Sequence, residues 1–294
     1  MWQQQTLREP VWGAGLGLHS GVYVTMILRP APAGSGIVFR RVDLPGQPEV
    51  PAKLENVVDS RMATTLGLNG AKVMTVEHLL AALNGMGIDN LTVDLDGPEV
   101  PILDGSAAQF ILLIRRAGIK PLEAARRVIK VTKAIRVSQG DRLIEILPDE
   151  RCQISCTIAY SHPLLKNQQY SLALEASSFD REISRARTYG FFEEVGAIKQ
   201  MGLAKGGSLD NAIVVDHQQV LNPSGLRFQD EFVRHKVLDL VGDLCLLGRR
   251  LIGHIKAYKT GHSLNHLLLR HLLDSPDQWE IQTLSPQTCP DEPA

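Results

Sequence analysis

The sequence has few cysteines, and they form no familiar motif. Cys152, Cys156, Cys245 and Cys289 are the four, and no CxxC pair occurs among them. In a chain of 294 residues this number does not indicate a disulfide framework. We therefore expect free thiols and a reducing, cytoplasmic compartment.

Long apolar runs and an excess of one charge are also absent. No apolar run approaches the roughly 20 residues of a membrane-spanning helix, and the N-terminal stretch MWQQQTLREP has no apolar segment typical of a signal peptide. The formal net charge is −1, so we expect no broad surface for nucleic acid or an anionic membrane. With 44% hydrophobic and 21% charged residues, the composition is typical of a soluble globular protein.

The order of the predicted elements repeats once along the chain. Residues 1–120 and residues 128–274 each run from short strands to a helix, a strand and a second helix, and the second half has an extra helical insert. We predict an α+β fold of two similar domains, each a small, mainly antiparallel sheet packed with helices, whose helix layers face each other in a sandwich. The polar segment Lys120–Arg127 is the predicted linker. Residues 275–294 are predicted to be a polar, frayed tail.

A short apolar helix carries two adjacent ionisable residues, Glu77 and His78, at its start. Thr75 is the predicted N-cap of this helix and Gly85 its predicted end. Burying a carboxylate and an imidazole costs free energy unless each has a partner. Two interpretations stand here: a capped helix start with a satisfied core histidine, or part of a functional site.

A second helix, predicted over residues 231–247, carries a polar stripe. His235, Asp239 and Asp243 lie at i, i+4 and i+8, and Lys236 flanks them. The stripe is either a solvated face or a pair of metal ligands one turn apart, and spacing alone leaves both open.

A catalytic zinc site needs three protein ligands and one open position. His235 and Asp239 would supply two ligands, and His78 would supply the third. Neighbouring helical residues point about 100° apart, so Glu77 would face the open position and act as a general base.

His262, in the run Gly261-His262-Ser263 before the last predicted helix, also has two interpretations. It is either a surface histidine beside a helix cap or a general acid. A general acid must carry a proton, which the positive end of a helix dipole disfavours. Asp243 is the natural carboxylate to offset that effect.

Taken together, these segments resemble one family, the UDP-3-O-acyl-N-acetylglucosamine deacetylases of lipid A biosynthesis in Gram-negative bacteria. The resemblance runs from Thr6 to about Leu273. The matching segments are GLGLHSG (15–21), LRPAP (28–32), TVEHL (75–79), GIDN (87–90), PILDGSA (101–107), ARTYGF (186–191), GGS (206–208), LRFQDEF (226–232), RHKVLD (234–239) and GHSLN (261–265).

The resemblance implies a zinc-dependent amidase with one Zn²⁺ per chain. Its substrate would be UDP-3-O-[(3R)-3-hydroxyacyl]-N-acetylglucosamine, from which it would release acetate in the committed step of lipid A biosynthesis. Carried over by motif, the zinc ligands would be His78, His235 and Asp239.

The resemblance also implies the roles of the residues around the metal. Glu77 would be the general base, and His262, held by Asp243, would protonate the leaving amine or stabilise the oxyanion. Thr188 would donate a hydrogen bond to the oxyanion. Lys236 would contact the diphosphate of the substrate.

The helical insert of the second half would form an apolar passage for the acyl chain in such a family member. Phe191, Phe192, Val195 and Ile198 fit this role, although apolar stripes of this kind are more often ordinary core. His19, a turn residue with a weak signal of its own, is placed with Lys236, Phe191 and Phe192 among the substrate-binding candidates.

Two other functions are weighed against the deacetylase. One is a non-catalytic protein of the same fold that binds a nucleotide sugar, and the other is a zinc hydrolase of another N-acetyl sugar. A non-catalytic relative would be expected to have lost Glu77, His262 or a ligand, and all are present. The expected partner is the UDP-linked acylated glucosamine, with no nucleic acid and no transmembrane segment, and we expect a monomer.

Overall fold

The first half of the protein is built from short strands and two helices. The structure, a computed structural model, describes residues 2–286. The elements of this half are β1 (Gln3–Leu7), β2 (Val11–Leu16), β3 (Tyr23–Pro30), β4 (Ile37–Arg41), β5 (Glu49–Pro51), β6 (Val57–Asp59), β7 (Thr65–Leu68), β8 (Ala71–Val73), α1 (Glu77–Met86), β9 (Leu91–Leu95), α2 (Ala108–Ala117) and β10 (Ile119–Ala125).

The second half adds longer strands and four helices, with a π-helical turn at Phe179–Ile183. The elements are β11 (Arg127–Val131), β12 (Ile135–Gln139), β13 (Arg142–Leu147), β14 (Cys152–Ile158), β15 (Gln168–Ala173), α3 (Ala176–Ser178), β16 (Tyr189–Phe191), α4 (Phe192–Gln200), β17 (Ile213–Val215), α5 (Glu231–Leu244), β18 (Leu251–Tyr258), α6 (His262–Leu273) and β19 (Trp279–Thr283). No helix within residues 2–286 has both the length and the apolar character needed to cross a membrane.

Each half has one main sheet. In the first half the strand order is β2-β3-β9-β4-β5, and only the β4–β9 pair is parallel. On β3, Val24, Met26 and Leu28 are fully buried and alternate with more exposed residues. This alternation is what a sheet with one face on the core requires.

The main sheet of the second half has seven strands and is centred on β18. The order β12-β13-β18-β11-β19 runs along it, and β14 joins β18 to β15. Pairs β11–β18 and β14–β18 are parallel and the other pairs are antiparallel. Together with the first sheet, this architecture confirms the predicted α+β class.

The two halves meet where α1 packs against α5. Gly242 of α5 lies so close to α1 that a Cβ added to it would stand 2.2 Å from the carbonyl oxygen of Glu77. Further along, the Asn84 side-chain amide donates a 2.9 Å hydrogen bond to the carbonyl oxygen of Val241. Residues on nearly every side of α5 are buried, so the helix is part of the shared core and not a surface helix.

The segment Lys120–Arg127, the predicted linker, is not irregular, because residues 120–125 lie in β10 and Arg127 begins β11. β10 pairs antiparallel with β1 near the N-terminus. The segment is polar because β10 belongs to a two-stranded sheet with exposed positions. A proline is tolerated in such a strand because it pairs with one neighbour only.

The predicted frayed tail is also wrong for its described part. β19 pairs along its length with β11 and closes one edge of the main sheet, and the indole N–H of Trp279 donates to the carbonyl oxygen of Leu272 at 2.8 Å. Residues 287–294 of the predicted tail lie outside the described residues.

The ends of α1 differ from the prediction. Thr75 does not cap the helix; it has a left-handed φ of 55°, and its hydroxyl donates to Glu99 Oε1 at 2.6 Å. The helix ends at Met86 and is followed by Gly87 in the left-handed conformation. Gly85 lies inside the helix, where Phe179 packs against it.

The α1–α5 contact predicts opposite effects for two glycine substitutions. We expect Gly242→Ala to lower the free energy of unfolding by about 1–3 kcal/mol, because its methyl group would push the helices apart. This loss outweighs the gain in helix propensity of about 1 kcal/mol. Urea unfolding of purified protein measures the change.

Gly196→Ala in α4 is the matched control. Apart from the chain neighbours and the backbone of α4 itself, no atom lies within 4 Å of a Cβ at this position, so the propensity gain of up to about 1 kcal/mol should appear without a clash. A Gly242→Ala protein as stable as wild type would contradict the close packing of α1 against α5.

Candidate metal centre

A cavity of about 880 Å³ lies beside the start of α1 and the middle of α5. The loop that leads into α6 and the insert that contains α4 form other parts of its wall. All the candidate site residues except Asp243 line it, namely His19, Glu77, His78, Thr188, Phe191, Phe192, His235, Lys236, Asp239 and His262. Asp243 lies behind this wall and is 1% exposed.

Three side chains from both halves meet on one side of the cavity. One ligand atom each from His78, His235 and Asp239 lies within 4.8 Å of the other two. His235 Nε2 is 3.2 Å and His78 Nε2 is 3.7 Å from Asp239 Oδ1. The two imidazole rings stand edge to face with centroids 5.0 Å apart.

Both imidazoles are held in the uncharged form that binds metals. Burial lowers the pKa of His78 to about 3. Burial likewise lowers the pKa of His235, whose Nδ1 lies 3.1 Å from the carbonyl oxygen of Ala186. Donation from Nδ1 to this carbonyl leaves the lone pair on Nε2, on the side of Asp239.

These three side chains fit a divalent metal ion. Asp239 Oδ1, which faces the Nε2 atoms of both imidazoles, is buried without a hydrogen-bond partner, and a group of this kind costs about 1–3 kcal/mol. Structural zinc contributes roughly 10–16 kcal/mol on binding, far more than this cost. Two neutral nitrogen donors and one carboxylate are a common donor set for catalytic zinc.

A second polar group, Asp243 with His262 and His266, lies beside the first and is organised differently. Asp243 Oδ2 accepts from His262 Nδ1 and from the Asn265 amide, each at 2.8 Å. Asp243 Oδ1 accepts from the Thr64 hydroxyl at 2.8 Å and from His266 Nε2 at 3.0 Å. Both oxygens are therefore occupied by donors, and the group is a hydrogen-bond network and not an open cation site.

Glu77 lies between the two groups. Its Oε2 accepts from the backbone N–H of Thr64 at 3.0 Å, and its Oε1 is 3.7 Å from His262 Nε2. Burial, reinforced by the carboxylates of Asp239 and Asp243, raises the pKa of Glu77 to about 7.

His262 is the first residue of α6 and faces Glu77 across the site. Burial opposes its protonation, but the carboxylate of Asp243 outweighs that effect, and the pKa of His262 rises to about 9. Glu77, a candidate proton acceptor, and His262, a candidate proton donor, thus lie next to each other in the wall of the cavity.

Thr188 reaches the cavity from a well-anchored backbone. Its N–H donates to Gly105 O, and its carbonyl accepts from Ile213 N, each at 2.8 Å. The preceding Arg187 forms a buried ion pair with Glu231, with Nε 2.8 Å from Oε1. Removing one partner of such a pair costs about 3–5 kcal/mol, so the backbone at Arg187 is held in place. Together with the two backbone hydrogen bonds of Thr188, this pair fixes where the Thr188 side chain enters the cavity.

Lys236 contacts a candidate metal ligand. Its Nζ lies 2.5 Å from Asp239 Oδ2. Burial opposes the charged form of Lys236, but the carboxylate of Asp239 more than compensates and raises the pKa of the ammonium group. A contact between Lys236 and a substrate diphosphate stays a prediction.

Helix α4, which is the helical insert predicted for the second half, forms part of the cavity wall and is not part of the hydrophobic core. None of the residues of α4 is buried, and Phe192 is 59% exposed. Phe191, Val195 and Ile198 line the cavity beside Phe192. The alternative that these residues are ordinary core is therefore wrong.

His19 lines the same cavity from the loop between β2 and β3. Its backbone N–H donates to Glu99 Oε1 at 2.9 Å, and its Nδ1 accepts from the N–H of Ala204 at 3.4 Å. Burial lowers the pKa of His19, although Glu99 opposes that shift. His19 therefore lines the cavity as a buried, mainly neutral ring.

The two conservative interpretations from the sequence are contradicted. The stripe His235-Asp239-Asp243 is not a solvated face, because all three side chains are at least 96% buried. The start of α1 is not simply a capped helix, because His78 has an unpartnered ring nitrogen.

Sequence reasoning missed three residues that organise the site: Thr64, Glu99 and His266. His266 follows His262 at i+4, so the spacing rule that identified His235 and Asp239 would have found it. Thr64 and Glu99 lie in loop segments, and no local pattern marks them.

Comparison with known proteins identifies a family across nearly the whole chain. The family model described as LpxC, UDP-3-O-acyl N-acetylglycosamine deacetylase, matches residues 4–274. The chain is 55% identical over 280 residues to a UDP-3-O-acyl-N-acetylglucosamine deacetylase of Myxococcus xanthus, covering 95% of this chain and 89% of the relative. This match confirms the resemblance inferred from the motifs.

Two further relatives with the same name are similar over the same length. The protein of Acidithiobacillus ferrooxidans is 50% identical over 292 residues, which cover 99% of this chain and 96% of the relative. The protein of Legionella pneumophila is 49% identical over 282 residues, covering 95% and 93%.

The convergence of His78, His235 and Asp239 predicts one tightly bound divalent metal per chain. We expect dialysed wild-type protein to retain about one zinc ion. His235→Ala should lower zinc affinity by at least about 100-fold, since changes outside the ligand shell alone cost up to that much. Mass spectrometry of the bound metal measures both.

His271→Ala, on the exposed side of α6, is the matched control and should keep the wild-type zinc content. Two zinc ions per chain after dialysis would contradict the closed network around Asp243, and undiminished zinc in His235→Ala would contradict the ligand set.

Proposed function

Because the chain belongs to the family of UDP-3-O-acyl-N-acetylglucosamine deacetylases, we propose that its buried centre hydrolyses the N-acetyl group of such a UDP-linked, 3-O-acylated sugar. The products are acetate and the free amine, and the reaction is the committed step of lipid A biosynthesis. The observation that carries the proposal is the meeting of His78, His235 and Asp239 beside Glu77 and His262 in one cavity.

The metal we propose is one zinc ion, held by His78, His235 and Asp239. Bound zinc supplies a Lewis acid that polarises a carbonyl and makes a water molecule more acidic near neutral pH. The neutral state of both imidazoles and the unpartnered Asp239 oxygen support this assignment. Burial opposes the ionised form of Asp239, but the ammonium group of Lys236 keeps the pKa of this carboxyl low.

The side chains around the metal ligands divide the proton transfers between them. Glu77 accepts the proton of the water that attacks the acetyl carbonyl, because its carboxylate faces the cavity. His262 donates its proton to the sugar nitrogen as the carbon–nitrogen bond breaks. Thr188 donates a hydrogen bond to the carbonyl oxygen as negative charge develops on it.

The cavity also suits the two ends of the substrate. Lys236, Arg142 and Lys259 line it and can balance the charge of a diphosphate. Phe191 and Phe192, with Val195 and Ile198 of α4, provide an apolar surface for the acyl chain. The volume of about 880 Å³ lies within the range of roughly 300–1,000 Å³ for small-molecule sites.

The state of the thiols supports a reducing, cytoplasmic compartment. Cys152, Cys156 and Cys245 are unpaired in the described part of the chain. Burial raises the pKa of Cys152 to about 11 and the pKa of Cys156 and Cys245 to about 12. These thiols are therefore unreactive near neutral pH.

The assignment of Glu77 as the base predicts a large loss of rate without a loss of metal. We expect Glu77→Gln to lower kcat by about 10²–10⁴-fold, while zinc content stays near that of wild type. The glutamine side chain still offers an oxygen to the Thr64 N–H, so the local fold should persist. Acetate release from the UDP-acyl-sugar measures the rate.

Glu123→Gln, at an exposed position of β10, is the control and should keep the wild-type rate. Full activity of Glu77→Gln would rule out the proposed base.

The pairing of His262 with Asp243 predicts the alkaline side of the pH profile. His262 stays protonated up to about pH 9 because Asp243 raises its pKa, so kcat should fall as pH rises through that value. In Asp243→Asn the raising charge is gone, and the fall should move to lower pH by about 2 or more. The pH dependence of kcat measures the shift.

Asp277→Asn removes an exposed carboxylate that pairs with Lys133 and should leave the profile unchanged. An alkaline limb at the same pH in Asp243→Asn and wild type would contradict the role of the pair.

A further inference from the structure

His266 is a buried titratable residue with no assigned role in the reaction. It lies one turn after His262 on α6 and is 3% exposed. Its Nε2 is 3.0 Å from Asp243 Oδ1 and 3.3 Å from the Thr64 hydroxyl. Asp243 is therefore shared between two histidines, with His262 on one oxygen and His266 on the other.

The ring of His266 is not explained by stability alone. Its Nδ1 is buried without a hydrogen-bond partner, which costs about 1–3 kcal/mol. An apolar side chain of similar size would avoid this cost. The carboxylate of Asp243 would still have the donors Thr64, Asn265 and His262.

We propose that His266 is a positioning residue that sets the proton affinity of His262 through the carboxylate they share. By donating to Asp243 Oδ1, His266 draws negative charge towards that oxygen and away from Oδ2. The bond from Asp243 Oδ2 to the His262 proton is weakened as a result, so His262 becomes a stronger acid. This inference rests on the proposed function of His262 as the proton donor.

The direction of the effect does not depend on the charge of His266. A neutral His266 weakens the hold of Asp243 on the His262 proton through its hydrogen bond. A protonated His266 does so as well, and its positive charge adds repulsion across the 6.2 Å between the ring centroids. Removing His266 should therefore raise the proton affinity of His262 in either case.

Other charged groups also face His262 and must be kept constant. Asp243, Asp239 and His235 face it from α5. Glu77 and His78 face it from α1. Thr64, on the segment before β7, is a neutral contact of His262 and of His266. Substitutions at position 266 change none of these groups, so a shift in the titration of His262 reports the loss of the His266 donor.

The test compares variants at position 266 in the zinc-loaded enzyme. His266→Leu removes the donor, and His266→Met does the same with a more flexible side chain in case leucine does not fit. His266→Gln keeps a donor in reach of Asp243, because its amide nitrogen lies about as far from the backbone as the Nε2 atom of His266 that contacts Asp243 Oδ1. For each protein we would measure kcat against pH, zinc content, the unfolding temperature, and the titration of His262 by ¹⁵N NMR, assigned with His262→Gln.

We expect the alkaline limb of kcat and the NMR titration of His262 to move to higher pH by roughly 0.5–1 in His266→Leu and His266→Met. The plateau value of kcat should fall by about 3–10-fold, because a weaker acid protonates the leaving nitrogen more slowly. His266→Gln, which keeps the donor, should titrate close to wild type. The control His271→Leu, on the exposed side of the same helix, should change neither quantity.

An unchanged NMR titration of His262 in folded, zinc-loaded His266→Leu or His266→Met would overturn the inference. A lower kcat at every pH without movement of the limb or the titration would also overturn it, since this is the result of a purely structural role. If the NMR titration moves but wild-type kcat has no alkaline limb, the inference stands and the proposed acid role of His262 fails.

Discussion

The close approach of α1 to α5 is the constraint on which the rest of the structure depends. Gly242 brings the backbone of α5 against the backbone of Glu77, with no room for a side chain between them. This distance brings His78 next to His235 and Asp239, and it lets Glu77 reach towards both polar groups. The two sheets support this contact from either side, and their buried residues join in one continuous core.

Within that contact, two aspartates one helical turn apart have different surroundings. Asp243 has donors on both oxygens, from Thr64, Asn265, His262 and His266. Asp239 keeps one oxygen without a hydrogen bond. Because unpaired charge is costly in a low-dielectric interior, the first carboxylate is suited to holding a proton on its neighbour. The second is suited to receiving a cation.

Polarity was the signal that misled the sequence prediction at Lys120–Arg127 and at residues 275–286. Both segments contain strands at the edge of a sheet, where exposed positions carry polar side chains. Composition can identify a strand that buries one face, but an edge strand is stabilised mainly by backbone hydrogen bonds, which any residue type can make. The cap predicted at Thr75 failed for a related reason, since a distant partner, Glu99, determines its conformation.

The sequence by itself determined the α+β class and the side chains able to bind a metal. It also determined the one-turn spacing of His235 and Asp239, because local periodicity depends only on the helix. Only the tertiary structure decided that His78 joins them, that His266 and Thr64 share Asp243, and that Phe192 lines a cavity. These outcomes depend on which faces meet, and the protonation states depend on burial and on charges from distant parts of the chain.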